Sequence, residues 1–144
     1  MYYFRKTILS RWTLWSISFI MLCLVVSCSK DDEMSRAEIL SSTRWKSTAV
    51  KDSVGVDVTP SFQNFMGLAT YNRDGTYEFF TLDGAPRGDR GLWALTVDGN
   101  KRILNSTTLN YTRVVDIVEL NTRIFTYRVN ASGKTVTVEH VPIQ

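Results

Sequence analysis

Two residue types bound the chemistry open to this 144-residue chain: its one histidine, His140, and its two cysteines, Cys23 and Cys28. Nucleophilic catalysis needs a base beside the nucleophile. His140 is the one imidazole, and no Gly-x-Ser-x-Gly elbow is present to use it. Its place near the end of the last predicted strand reads as a surface or strand-end position. Zinc sites draw on several His or Cys ligands, so neither a metal nor another cofactor is expected. Glycoside chemistry needs two carboxylates that converge in a cleft, whereas Asp116 and Glu119 are expected on opposite faces of one strand. Asp116 and Arg128 fall on neighbouring predicted strands, with Arg113 close by. They read as a cross-strand charge pair that steadies a sheet, and as a polar ligand anchor in the alternative. Trp45, Tyr71, Phe79, Trp93 and Tyr127 either line a mostly apolar pocket or fill a narrow barrel solid; the short domain favours the packed core. No catalytic constellation emerges, so the chain is not expected to be an enzyme.

Cys28 has a different explanation. Arg5, Lys6 and Arg11 form a basic start, followed by the apolar run Trp12 to Val26, WTLWSISFIMLCLVV. A basic segment, an apolar stretch of about 15 residues and a small residue make a secretory signal; a membrane-spanning helix needs roughly 20 apolar residues. Cys23 leaves with that signal, and Cys28 is then an exported thiol with no partner for a disulfide. Val25-Val26-Ser27-Cys28 resembles the lipobox of bacterial lipoproteins. The resemblance implies that residues 1–27 are cut away, that Cys28 is joined to diacylglycerol through its sulfur, and that its new amino group is acylated. Two or more acyl chains, at about 0.8 kcal/mol per buried methylene, anchor a protein stably to a membrane. The following Lys30, Asp31, Asp32 and Glu33 resemble the acidic export signal of Bacteroidetes lipoproteins, which implies the outer face of the outer membrane. As plain residues they form a solvated tether, too close to the lipid to preorganise calcium.

Charge excludes one class of partner. The chain has 17 Lys+Arg and 14 Asp+Glu, but residues 1–27 hold three of the basic residues and no acid, leaving 14 of each beyond them. A neutral domain has no electrostatic footprint for nucleic acid.

The elements that must position any site are strands. Ser35-Arg36-Ala37-Glu38 has the capping-box pattern and predicts a short helix to Ser41 that docks Ile39 and Leu40. Beyond it, Asp74-Gly75, Asp83-Gly84, Asp98-Gly99 and Ser132-Gly133 mark turns. Between them, segments rich in β-branched and aromatic residues predict strands at 44–51, 68–73, 76–82, 90–97, 101–105, 111–120, 123–130 and 134–141. Thr59-Pro60 opens a second short helix through Phe65. Alternation places Gly91, Trp93, Leu95 and Val97 on one core face continued by Ile103, and buries Trp93. It sets Val115 and Ile117 opposite Val114 and Val118, and Phe125, Tyr127 and Val129 opposite Thr126 and Arg128. An open sheet of this size leaves two raw edges, so the expected fold is all-β: a small eight-stranded antiparallel up-and-down barrel with one or two short helices.

Trp45, the Tyr71-x-x-Asp74-Gly75-Thr76-Tyr77 hairpin, Gly91-x-Trp93-x-Leu95 and Asp98-Gly99-x-x-Arg102-x-Leu104 carry a resemblance. With Arg113-x-Val115-Asp116-Ile117 and Phe125-Thr126-Tyr127-Arg128, they are similar to the lipocalin-like lipoprotein domains of Bacteroidetes, in a family of uncharacterised function. Thr43-Arg44-Trp45 stands where true lipocalins have an early Gly-x-Trp. Asp52-Ser53-Val54 matches the Bacteroidetes O-glycosylation pattern, with Ser53 as acceptor. The expected organisation is a signal at 1–27, an acylated tether at 28–38 and a barrel at 39–144. The expected function is a non-enzymatic, lipid-anchored outer-membrane protein that binds a small apolar molecule or another envelope component. An accessory lipoprotein with a solid core, acting through its outer surface, is the alternative, and a hydrolase comes third.

The anchor is tested by Cys28→Ala. The variant is expected to lose labelling by a palmitate analogue and to run as precursor or be released. Absence of label on the wild-type protein would refute the anchor.

Overall fold

The computed structural model describes residues 34–143, so the expected signal at 1–27, Cys28 and the Lys30–Glu33 run lie outside the described residues. The chain order is a short helix α1 (Arg36–Ser41) and strands β1 (Arg44–Lys51), β2 (Leu68–Tyr71), β3 (Thr76–Phe80), β4 (Pro86–Leu95), β5 (Lys101–Ser106), β6 (Tyr111–Leu120), β7 (Phe125–Ala131) and β8 (Lys134–Ile143). Each strand pairs antiparallel with the next, and β8 returns to β1 to close an up-and-down barrel. The closing seam runs from Arg44 opposite Ile143 to Lys51 opposite Thr137. Closure leaves no raw edge.

Three turns share one construction. The amides of Gly75, Gly84 and Gly99 donate to the carbonyls of Asn72, Thr81 and Thr96 at 3.0, 3.0 and 2.8 Å. The aspartate before each glycine accepts local bonds: Asp74 from the Thr76 amide at 2.9 Å and Asp98 from the Asn100 amide at 3.0 Å. Gly91 answers a different need. A Cβ there would lie 2.0 Å from the Asn105 carbonyl oxygen of β5, so a side chain would force the two strands apart.

At one end of the barrel, α1 packs against β2 and β6. Ser35 caps it reciprocally with Glu38, the Ser35 amide donating to Glu38 Oε2 at 2.7 Å and the Glu38 amide to Ser35 Oγ at 3.2 Å. Leu40 and Trp45 are fully buried beneath it, and the Trp45 indole donates to the Leu40 carbonyl at 2.8 Å. Phe125 meets Trp45 edge-on at 5.7 Å. The other end is rimmed by the long β1–β2 connection, which carries two 3-10 turns (Thr59–Ser61 and Gln63–Phe65) where a single helix is expected.

Several core assignments change. Val97 is fully exposed because β4 ends at Leu95 and Val97 sits in the following turn. Ile103 lies outward, since Arg102, Leu104 and Ser106 are the buried set of β5. Trp93 is half-buried rather than buried, with its indole donating to the exposed Asn72 carbonyl at 2.9 Å. Strand β4 starts at Pro86, earlier than its apolar pattern, because a register shift between Glu78 and Phe80 lets Pro86 pair with Phe80.

Burial therefore ranks the two tryptophans. Trp45→Ala is expected to cost about 3–5 kcal/mol, the range for a packed aromatic. Trp93→Ala is expected to cost about 1–2 kcal/mol, as for a partly exposed side chain. Denaturant titration of the full-length variants checks this, and equal losses would contradict it.

Candidate ligand cavity

The barrel interior is packed at the α1 end and hollow toward the other. The hollow has a volume of about 230 Å³, room for on the order of eight waters at ~30 Å³ each. Its rim comes from Asn64 and Phe65 of the β1–β2 connection and from Arg87, Leu109 and Tyr111. Its walls combine Ala69, Phe79 and Leu104 with Tyr71, Tyr127 and His140. An eight-stranded barrel is just wide enough to be filled or to hold one small ligand. Here side chains fill only part of it.

Three arginines and one aspartate line the cavity. Asp89 is held by hydroxyls: Tyr77 donates to its Oδ1 at 3.0 Å and Ser106 at 2.8 Å, and Tyr111 donates to Oδ2. Burial and the adjoining Asp89 carboxylate push the Tyr111 phenol well above its ordinary range, so it is a donor at any physiological pH. Arg87, at the rim, donates to the Met66 and Asn64 carbonyls at 3.2 and 3.0 Å. Arg113 points inward from β6 and lies over the rings of Tyr111 and Phe65 at 5.0 and 5.9 Å.

Arg102 is the deepest charge, only 2% exposed. Its guanidinium carbon sits 4.5 Å from the Tyr127 ring centroid and 5.3 Å from those of Tyr71 and Phe125. It donates from Nη1 to the Tyr71 hydroxyl, while its buried Nε has no partner. Among the described residues the ion pairs are Lys51–Glu139 and Lys101–Asp116, so Arg102 has no carboxylate. Burial pushes the Tyr71 and Tyr127 phenols upward, with Arg102 opposing the rise.

His140 corrects the surface assignment. It lies inside the barrel, 4% exposed, stacked on Phe125 and Tyr127 at 5.1 and 5.3 Å. Its Nδ1 is 3.0 Å from the Phe125 carbonyl oxygen; a carbonyl only accepts, so Nδ1 carries the proton of a neutral ring. Burial, then the Arg102 charge, pushes its pKa down to about 3.

The aromatic set divides. Tyr71, Phe79 and Tyr127 reach the cavity, whereas Trp45 lies in the packed floor and Trp93 in the half-exposed wall. Asp116 and Arg128 do pair in register across β6 and β7, but both are exposed on the outer wall, where Asp116 bonds Lys101. An anchor inside the barrel is therefore not what they form. Glu119 is exposed on the outside as well, because a register shift after Ile117 breaks the alternation. Ser53 is exposed in a turn whose Asp52 carboxylate accepts from the Val54 and Val56 amides at 3.0 and 2.9 Å. Asp89, Arg102 and Tyr111 are site residues without an expected role in the sequence, and Arg113 is noted there only beside the Asp116–Arg128 pair. The alternation Arg102, Leu104, Ser106 was the available sign that a charge faces inward.

Neutral His140 makes stability fall in acid. The unfolded chain takes up a proton below about 6.5 that the native ring accepts only near 3, so the contribution is complete above 6.5 and lost as pH falls from there toward 3. Between pH 7 and 5.5, wild type is expected to lose about 1 kcal/mol more unfolding free energy than His140→Phe. Parallel denaturation curves for the two proteins over that window would refute this assignment.

No curated protein matches the chain. Residues 37–144 match a family described as Domain of unknown function (DUF4822); that match spans all eight strands and every residue of the cavity, and the chain belongs to this family.

Proposed function

We propose that the protein is a lipid-anchored lipoprotein, held through Cys28 on the outer face of the outer membrane, whose barrel binds a small molecule without transforming it. Support for the anchor comes from the basic and apolar N-terminus and the Val25–Cys28 motif. The observation that carries the binding role is the cavity of about 230 Å³ in an otherwise close-packed interior. Packed interiors hold few voids larger than a water molecule, and this space is several times that size. It lies below the roughly 300–1,000 Å³ of sites for drug-sized ligands, so the ligand is smaller than those. A second reading, an accessory role through the outer surface, rests on Ala94, Ile103 and Val114, which stand side by side on the outer wall of β4, β5 and β6.

The two readings part in one experiment. Ala69 is a buried wall residue of the cavity, and Ala69→Phe would fill the space from inside while leaving the outer surface unchanged. Ligand-observed NMR of the full-length protein against water-soluble molecules of about ten heavy atoms or fewer is expected to find binders that Ala69→Phe loses. Binding that survives in a folded Ala69→Phe variant, or a screen without binders, would overturn the binding role.

A further inference from the structure

Resting on the binding role above, we infer that the cavity takes a small organic carboxylate, with the Arg102 guanidinium as its counter-ion and the Tyr71 and Tyr127 rings beside its body. The inference starts from a charge without an opposite. Arg102 is 2% exposed, and the hydrogen-bond partners of its guanidinium are the neutral phenols of Tyr71 and Tyr127. A guanidinium has five N–H donors and no acceptor, and its Nε is buried without a partner. Burying a cation is costly unless it is paired and hydrogen-bonded. The three rings around Arg102 attract the cation through their faces, but a ring face does not satisfy the in-plane donors of the fork.

No group of the described cavity makes an ion pair with it. Asp89 already accepts from the hydroxyls of Tyr77, Ser106 and Tyr111. His140 is neutral and donates from Nδ1 to a backbone carbonyl. Arg113 adds a second guanidinium stacked on rings, and Arg87 a third at the rim. The interior field is positive around one fixed, hydroxyl-bound carboxylate. Guanidinium and carboxylate match as planar, bidentate partners. The rest of the cavity is not built for a bare inorganic ion: Ala69, Phe79 and Leu104 present apolar surface. A ligand with a carboxylate at one end and a compact apolar body satisfies both.

The test uses the full-length protein in detergent, titrated with carboxylates from butyrate to phenylacetate, each against its own amide, and with inorganic phosphate. At least one acid is expected to bind tenfold or more tightly than its amide, and the Arg102 Nε–H resonance is expected to move along the same saturation curve. Arg102→Gln is expected to weaken that acid tenfold or more while changing its amide less than about twofold. If Arg102→Gln does not fold, the wild-type acid-to-amide ratio and the Arg102 resonance decide alone. Acids and amides bound equally would overturn the carboxylate and leave the binding barrel standing. Phosphate bound more tightly than every acid would overturn the organic ligand. A titration without any binding would overturn the carboxylate too, and the Ala69→Phe screen then decides separately whether the barrel binds at all.

Discussion

The seam between β1 and β8, from Arg44 opposite Ile143 to Lys51 opposite Thr137, turns a sheet with two open edges into a tube. Everything else follows from that closure. Once the tube exists, alternate residues of each strand, bulges apart, point to a space a few side chains wide, whatever their chemistry. Trp45, Ser47, Tyr71 and Arg102 are all inside for the same geometric reason. A barrel this small therefore has to place its polar inward residues against one another or against a ligand.

The chain does so unevenly along the barrel. At the α1 end the filling is aromatic and aliphatic: Leu40, Trp45, Phe125 and Leu120 are buried, and the Trp45 indole N–H finds the Leu40 carbonyl as the helix lies across the opening. There the buried Trp45 indole finds a partner, as buried indoles usually do. Toward the opposite end the inward residues become Arg113, Asp89, Tyr111 and Ser106, and the side chains stop filling the space. The gradient runs from a packed floor to a polar vestibule, and the cavity is what remains between them.

The inward polar groups are stabilised by three different means. Asp89 is solvated by protein hydroxyls in place of water, Arg102 by the faces of three aromatic rings, and His140 by giving up its charge. The first and third leave their groups satisfied. The second leaves a donor over, the Arg102 Nε, so the interior is not a fully satisfied core. His140 and Arg102 are linked in this respect: a protonated imidazole beside a guanidinium would add to the unmatched positive charge, and the depressed pKa keeps the ring neutral.

Much of the fold was legible in the residues themselves. The capping box at Ser35–Glu38 formed as its spacing implies. The three Asp-Gly turns closed with one hydrogen-bond pattern, and β1 and β6 have the bounds their composition sets. These features are local: a capping side chain, a glycine at positive φ or a run of β-branched residues acts within a few positions of itself. The site was much less legible. His140 near a strand end looked superficial, and Asp116 with Arg128 looked like the natural polar pair, yet the first is buried and the second pair faces outward. Alternation with Leu104 and Ser106 hinted that Arg102 faces inward, but nothing local told that it would sit among Tyr71, Phe125 and Tyr127, which come from 31 residues before it and from the strand two places beyond. Sequence alone determined where the strands and turns lie, because those preferences are set by neighbours along the chain. Tertiary structure decided which polar residues became interior and which of them found partners. Inward or outward is fixed by strand register and bulges, and pairing by distances across the barrel that no local pattern encodes.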